Sequence, residues 1–373
     1  MNQNDTPRVT KSSRDHGELR RRFESWLREQ LGDDANPVIT SFEAPESNGM
    51  SSETILVSAV WDSPDGRGDH DLVVRIAPPS DSMPVFSRYD LSLQYDVMAL
   101  VGERTDVPIP RLLWNEPSPE PLGAPSFVMG RSVGDVPPDL MPYTFGSWVS
   151  EATDSDRERM ERTTVDVLTK VAAIADPQVS VPSLAPEPDD GRSALRCHVD
   201  AARAWLDWSV GDEASPLLDR CFEWLESNWP SDEGETVLSW GDARIGNIMY
   251  RDFEPVAVLD WEMAALGPRE LDLAWLIFLH RFFDDIAVQM GLQAMPDFLR
   301  RDRMESLYEE LSGHRPQNMD WYLMYSAVRH GIVFTRISRR MAHFGDQEMP
   351  EDPDDAILHR AALEAMVEGT YWS

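Results

Sequence analysis

Lysine is almost missing from this chain: Lys11 and Lys170 stand against 32 arginines. Any cationic clamp on a phosphate is therefore expected to be arginine, whose planar fork can hold two oxygens at once. Cysteine is as scarce. Cys197 and Cys221 are too far apart for a C-x-x-C site and too few for a disulfide framework, which agrees with a reducing compartment. No window reaches the roughly eighteen consecutive apolar residues of a membrane span. The opening MNQNDTPRVTKSSRDHGELRRR lacks the apolar core of a signal peptide. A soluble, cytoplasmic protein with no membrane partner is expected.

Positive charge is short overall, with 34 Lys and Arg against 66 Asp and Glu and a net charge of −32. Such a surface repels nucleic acid and anionic lipid. Solubility is its favoured reading, and attraction of a polycation the second. What the chain has in quantity is apolar and aromatic residues, 42% hydrophobic with 13 Trp and 13 Phe over 373 residues. That suffices for well-packed cores in two or three lobes.

The stretch 237–262, VLSWGDARIGNIMYRDFEPVAVLDWE, gathers Asp242, Asn247 and Asp260. An apolar run over 237–240 leads into a tight turn at Gly241, leaving Asp242 at the exposed end of a loop. Residues 248–250 read as a strand, 251–255 as a polar turn with Pro, and 256–259 as a second strand ending on Asp260. Such a hairpin brings Asn247 and Asp260 out at the same end. A carboxylate and a neutral amide oxygen are hard ligands that hold magnesium while leaving positions for phosphate oxygens. Asp242 is then placed to orient an acceptor hydroxyl and take its proton. An isolated D-x-x-x-x-N is common, but the order of groups, both flanking tryptophans and the downstream Gly-Pro and Asp-Leu-Ala agree.

This pattern resembles the catalytic loop and metal-binding triplet of protein kinases. Trp240-Gly241-Asp242, Asn247, Leu259-Asp260-Trp261-Glu262 and the run Gly267-Pro268-Arg269-Glu270-Leu271-Asp272-Leu273-Ala274 narrow the resemblance to the aminoglycoside phosphotransferase and choline kinase branch. That branch carries H-G-D-x-x-x-x-N, I-D-W/F-E/D and G-D-P-x-x-D-L-A. The motifs span residues 40–285, and the final third is similar only to an actinobacterial subgroup of aminoglycoside phosphotransferase-like proteins. Trp240 stands where histidine is usual, a change expected to alter packing under the loop and to leave the proton path alone.

The resemblance implies ATP and Mg2+ as cofactors and an α+β, protein-kinase-like bilobal fold. A small lobe of β-sheet with one packed helix would face a larger, mainly helical lobe, with the nucleotide between. It also implies roles residue by residue. Ser51 and Ser52, in the polar loop 47–54, would cover the phosphates. Arg75, in the strand 71–77, stands in for the phosphate-pairing lysine of kinases. Gln94, in the helix 87–102, falls where the family has Glu, turning an ion pair into a hydrogen bond; Asp90 and Asp96 remain open as substitutes. Met129 and Arg131, either side of Gly130, would contact adenine at the hinge. Asp272 would tie the catalytic loop to the helix that follows.

Apolar residues four apart, Leu19, Phe23, Leu27 and Leu31, predict a helix over 16–31. Strands are expected over 38–42 and 55–61, from 107–111, and over 125–131. Helices are expected over 154–175, 194–210, 215–229, 270–283, 297–311, 321–344 and 354–369. Asp284 and Asp285 follow the apolar helix, as a solvated helix end by preference or as a pair facing substrate. Arg329, Arg336 and Arg340 recur at seven and four along one helical face. Pairing with internal carboxylates is favoured for them; were they to border the cleft, they would argue for an anionic acceptor.

The expected division is 1–43 as a polar segment and helix, 44–130 as the nucleotide-binding lobe and 131–373 as the catalytic lobe. The function implied is phosphorylation of a hydroxyl on a small-molecule acceptor. A kinase of a hydroxy acid or hydroxyacyl thioester, and a non-catalytic nucleotide-binding module, are the alternatives.

Overall fold

The first helix forms where the spacing of four places it. α1 (His16–Leu31) is capped by the Asp15 side chain, which accepts from the Gly17 and Glu18 amides, and it buries Leu19, Phe23, Trp26 and Leu27. A computed structural model describes residues 14–45, 52–79, 82–139, 142–185, 191–211 and 213–372. The chain divides into two compact units. One holds residues up to Asp96 with Pro110–Ser132 and Arg339–Glu348; the other holds Val97–Ile109, Val133–Ser338 and the residues from Met349.

In the first unit, β1 (Val38–Glu43), β2 (Glu53–Ser63), β3 (Gly66–Ile76), β4 (Leu112–Glu116) and β5 (Ser126–Gly130) form an antiparallel sheet of order β1-β2-β3-β5-β4. Alternate residues of β2 and β3, Ile55, Val57, Ala59, Trp61, Leu72, Val74 and Ile76, join the buried face of α1 in one cluster. Each large apolar side chain so buried contributes about 1.5–3 kcal/mol, against about 0–1 for a surface ion pair such as Arg22–Glu18. The cluster, not surface charge, holds helix to sheet.

Arg75 is out of phase with that cluster and so lies on the other face. There α2 (Leu91–Arg104) packs Tyr95 against Phe127, the cross-strand neighbour of Arg75, with ring centroids 6.1 Å apart. α2 begins at Leu91 rather than at 87, because the Asp90 carboxylate accepts from the Leu93 amide at 2.9 Å and caps the helix. β4 begins at Leu112 rather than at 107, since Pro108 and Pro110 have no N–H for a ladder.

The second unit holds α3 (Asp154–Ala172), the short α4 (Pro177–Ser180), α5 (Ala194–Val210) and α6 (Pro216–Ser227) before the motif stretch. β6 (Thr236–Ser239) leads into the loop, and β7 (Ile248–Arg251) and β8 (Glu254–Val258) form the expected hairpin. Its turn is made by Asp252 and Phe253 at φ 53° and 63°, the left-handed pair that matches strand twist. β6 pairs with β9 (Ala265–Pro268), a strand that its Gly and Pro conceal in the sequence.

α7 (Glu270–Gln289) is buried on nearly every side through Phe282, which accounts for its apolar composition all round. It continues past 283, so Asp284 and Asp285 are helical residues and not a helix end. α8 (Arg301–Ser312) and α9 (Met319–His343) follow. The helix expected over 354–369 is two pieces, the 3-10 turn Pro353–Ala356 and α10 (Arg360–Val367). No helix among the described residues is long and apolar enough to cross a membrane.

Candidate active site

β6 ends at Ser239, and the chain turns at Gly241 with φ 90°, a left-handed conformation that L side chains rarely adopt. A Cβ there would sit 2.0 Å from the Met263 carbonyl oxygen, so only glycine lets the loop pass under that segment. The turn presents the half-buried Asp242. Its Oδ2 accepts from Asn247 Nδ2 at 2.6 Å and from Arg244 Nε at 3.2 Å, and its Oδ1 accepts from the Trp275 indole N–H at 2.7 Å. The Asn247 amide nitrogen also donates to the Asp242 carbonyl at 3.1 Å. A carboxylate only accepts, so the amide must turn its NH2 inward and its oxygen away.

Asp260 reaches the same end of the hairpin as Asn247. The Leu259 amide donates to the Asn247 carbonyl at 2.8 Å, and Asp260 is the next residue, half-buried, with φ 60°. Trp240, in the position of the usual histidine, lies fully buried against Trp261 with ring centroids 5.6 Å apart. Its indole N–H donates to the carbonyls of Leu259 (3.0 Å) and Asp260 (3.1 Å), and so fastens the hairpin exit to the loop entry. Among the described residues no three His, Cys, Asp or Glu side chains group as a metal site. A metal held here would take the Asn247 amide oxygen and the Asp260 carboxylate, with phosphates and water completing the shell. Magnesium is commonly bound in that manner.

Asp272 lies under the loop, its carboxylate accepting from Ser239 Oγ (2.7 Å) and from the amides of Trp240 (2.7 Å) and Gly241 (2.8 Å). Burial pushes its carboxyl above the usual range, against the pull of those three donors. Asp284 is not solvated: it is 6% exposed and accepts from the Met295 amide at 2.8 Å. Asp285 pairs with Arg281 and bonds the Tyr371 hydroxyl. Both residues brace structure; neither approaches Asp242 through any of these contacts.

The arginine stripe is buried. Arg329, 4% exposed, donates to the Gly241 carbonyl at 3.3 Å and stacks over the Trp275 ring at 4.6 Å. Arg336 stacks over Trp208 at 4.0 Å, and Arg340 belongs to the first unit, 5.9 Å from the Phe344 ring. For Arg329 the expected carboxylate pairing gives way to aromatic faces and a backbone carbonyl.

Of the residues expected on the nucleotide side, Ser51 lies outside the described residues. Ser52 is 2% exposed, and its hydroxyl has no partner among the described residues. Arg75, half-buried, donates to Thr54 Oγ1 at 3.4 Å. Gln94 is 2% exposed, with its amide nitrogen unpartnered among the described residues. Asp96 is exposed, and Asp90 is spent on its helix cap and on Arg88. In the stretch expected to hold adenine, Met129 is buried. The Gly130 amide donates to the Arg111 carbonyl and the Arg131 amide to the Asp71 carbonyl, so neither N–H is left for a base.

Sequence reasoning missed four residues around Asp242. Arg244 bridges Asp242 and Asp139, the latter through one guanidinium nitrogen at 2.6 and 2.7 Å from the two carboxylate oxygens. Burial opposes its charge, but the two carboxylates outweigh burial and hold the guanidinium above its ordinary value. Gly246 leaves the space for this pair: a Cβ there would lie 2.5 Å from Arg244 and 2.6 Å from Asp139. Trp275 was legible, since it stands three residues after Asp272 and so on the same helical face.

Residues 47–306 match the model of the phosphotransferase enzyme family. Among curated proteins the chain is similar to the probable acyl-CoA dehydrogenase IBR3 of Arabidopsis thaliana, 22% identical over 79% of this chain and 35% of that protein. Acyl-CoA dehydrogenase family member 10 of Mus musculus is 23% identical over 73% of this chain and 25% of its own length. The chain thus spans about a quarter to a third of the curated relatives it matches. A solved structure of a candidate aminoglycoside phosphotransferase from Ralstonia eutropha superposes with a TM-score of 0.64 at 18% identity, covering 94% of this chain and 98% of that one. The aminoglycoside phosphotransferase APH(4)-Ia, in ternary complex with AMP-PNP and hygromycin B, gives 0.54 at 15% identity, covering 93% and 97%. At these identities the likeness is one of fold, the mixed α+β fold of kinase-like phosphotransferases.

Proposed function

The chain belongs to the phosphotransferase enzyme family, and from that premise we propose that it transfers the γ-phosphoryl group of ATP, with magnesium, to a hydroxyl of a small molecule. The observation that carries this reading is the Asp242 carboxylate held by the Asn247 amide, the Trp275 indole and Arg244 at the open end of the β7–β8 hairpin. A carboxylate offers about four acceptor positions. Two at Oδ2 and one at Oδ1 are taken, which leaves one on Oδ1 for the acceptor hydroxyl. Asp242 orients that hydroxyl and receives its proton as the oxygen bonds to phosphorus and the bond to the ADP oxygen breaks. Asn247 and Asp260 hold the metal, which when bound neutralises charge on the phosphate oxygens.

On the nucleotide side, Arg75 is the phosphate-facing cation, and Ser51 and Ser52 donate to phosphate oxygens. Base recognition by Met129 and Arg131 runs through groups other than the Gly130 and Arg131 amides. Gln94 supports Arg75, and Asp272 supports the loop.

A neutral or cationic alcohol is the acceptor we favour: Arg329 and Arg336 are 4% and 8% exposed, and so lend no support to an anionic one. This removes the objection to an amino sugar, the class of acceptor present in the APH(4)-Ia complex. A second reading, phosphorylation of a hydroxyacyl thioester, is favoured by the curated relatives, whose names are those of acyl-CoA dehydrogenases. Magnesium-dependent ADP formation over a panel of aminoglycosides and hydroxyacyl thioesters tests both. Turnover should fall at least about 100-fold in Asp242→Asn. Full turnover by that variant would remove the assigned base, and tight ATP binding without turnover on any acceptor would favour a non-catalytic module.

A further inference from the structure

Trp275 and Arg329 make a built assembly against the loop. The Trp275 indole N–H donates to Asp242 Oδ1 at 2.7 Å, and the Arg329 guanidinium lies over the face of the same ring at 4.6 Å. The guanidinium also donates to the carbonyl of Gly241, the residue before Asp242, at 3.3 Å, and its other aromatic neighbour is Tyr325 at 5.8 Å. Trp275 is 2% exposed and Arg329 4%. Among the described residues no carboxylate pairs directly with Arg329, although the charges of Asp272 and Asp242 act on it from farther off.

A buried cation without an ion-pair partner is costly, and an apolar side chain of similar length would fill the same space at less cost. Packing alone therefore accounts poorly for Arg329. Its charge acts on what surrounds it. Placed over the indole face, a cation is attracted by the ring quadrupole and draws electron density from the ring, which strengthens the N–H as a donor. That N–H points at the carboxylate.

We propose that Trp275 is a positioning residue that fixes the rotation of the Asp242 carboxylate for proton transfer, and that Arg329 holds and polarises the Trp275 indole. The proposal rests on the reading of Asp242 as the base. With the indole bond in place, one lone pair of Oδ1 is occupied and the other has a fixed direction. Without it, the carboxylate rotates about the bonds that Asn247 and Arg244 make to Oδ2. Misplacement of a reacting group by about 1 Å costs roughly 100-fold in rate.

The test uses the full chain and MgATP with water as acceptor, reading ADP formation, beside the indole 1H–15N spectrum of the tryptophan-labelled protein. Trp275→Phe keeps an aromatic ring under Arg329, a smaller one, and removes the N–H, so the indole spectra below are what separate the lost bond from lost volume. We expect kcat to fall roughly 10- to 100-fold with KM for ATP changed less than about twofold. The resonance that this variant lacks identifies Trp275. That resonance should move upfield in Asp242→Asn, where a neutral acceptor replaces the carboxylate, and in Arg329→Met, with part of the shift restored in Arg329→Lys.

Wild-type kcat in folded Trp275→Phe, with Asp242→Asn inactive, overturns the positioning role and leaves the base assignment standing. Full activity of Asp242→Asn instead removes the base assignment, and with it the proposal. Should Trp275→Phe not fold, the spectra decide: one and the same indole resonance must move in both Asp242→Asn and Arg329→Met, and its failure to do so overturns the proposal.

Discussion

The Asn247 amide nitrogen lies 2.6 Å from Asp242 Oδ2, so the two residues that the loop spacing sets five apart are bonded side chain to side chain. The bond fixes both at once: it directs the carboxylate, and it turns the amide oxygen outward. Asn247→Asp would set two carboxylates against each other and remove the donor. We expect turnover to fall at least about 100-fold, with a melting temperature lowered by several degrees, checked by ADP formation and calorimetry.

Chelation of the metal should abolish turnover, and magnesium should restore it. Asp260→Asn keeps the shape of the proposed ligand and removes its charge. The loss of a charged interaction, about 1.5–3 kcal/mol, raises the magnesium concentration for half-maximal ADP formation roughly 10- to 100-fold. An unchanged magnesium dependence would take Asp260 out of the metal shell.

Gly241 combines φ 90° with a position where a Cβ would meet the Met263 carbonyl oxygen at 2.0 Å. Gly241→Ala is therefore expected to destabilise the protein by about 3 kcal/mol or more in urea unfolding and to remove activity, since the loop shifts. Gly32 also has positive φ, 84°, with nothing within 4 Å of its added Cβ. Gly32→Ala should cost about 1–2 kcal/mol and leave turnover unchanged.

Burial lowers the His359 pKa to about 4 and that of His198 to about 3, so both are neutral in the folded protein at pH 6. Their folded values lie below the ordinary value of 6.5. The unfolded chain thus binds protons first, and stability present above pH 6.5 is lost as pH falls toward 4 and below. His359 alone accounts for roughly 3 kcal/mol of that loss. Unfolding free energies from pH 7.5 to 4 should decline accordingly, and the decline should be shallower by about that amount in His359→Gln.

The order Asp242, Asn247, Asp260, the hairpin between the last two, and α1 were all legible, because each is written in spacing and turn chemistry within a few residues. The wrong starts of α2 and β4 were legible too, through Asp90 as a cap and Pro108 and Pro110 as missing donors; competing periodicity hid them. β9 was not, since a short strand with Gly and Pro has no signal until β6 lies beside it.

What the sequence alone determined is that the loop and hairpin groups come together, since their proximity follows from backbone geometry over fewer than twenty residues. Tertiary structure decided their partners. Trp275 joins Asp242 across 33 positions, Arg329 joins Gly241 across 88, and Asp139 joins Arg244 across 105. It also decided that Arg329 faces the loop and an indole instead of solvent. A helical period fixes which residues share a face; only the packing of that face against other elements fixes what the face meets.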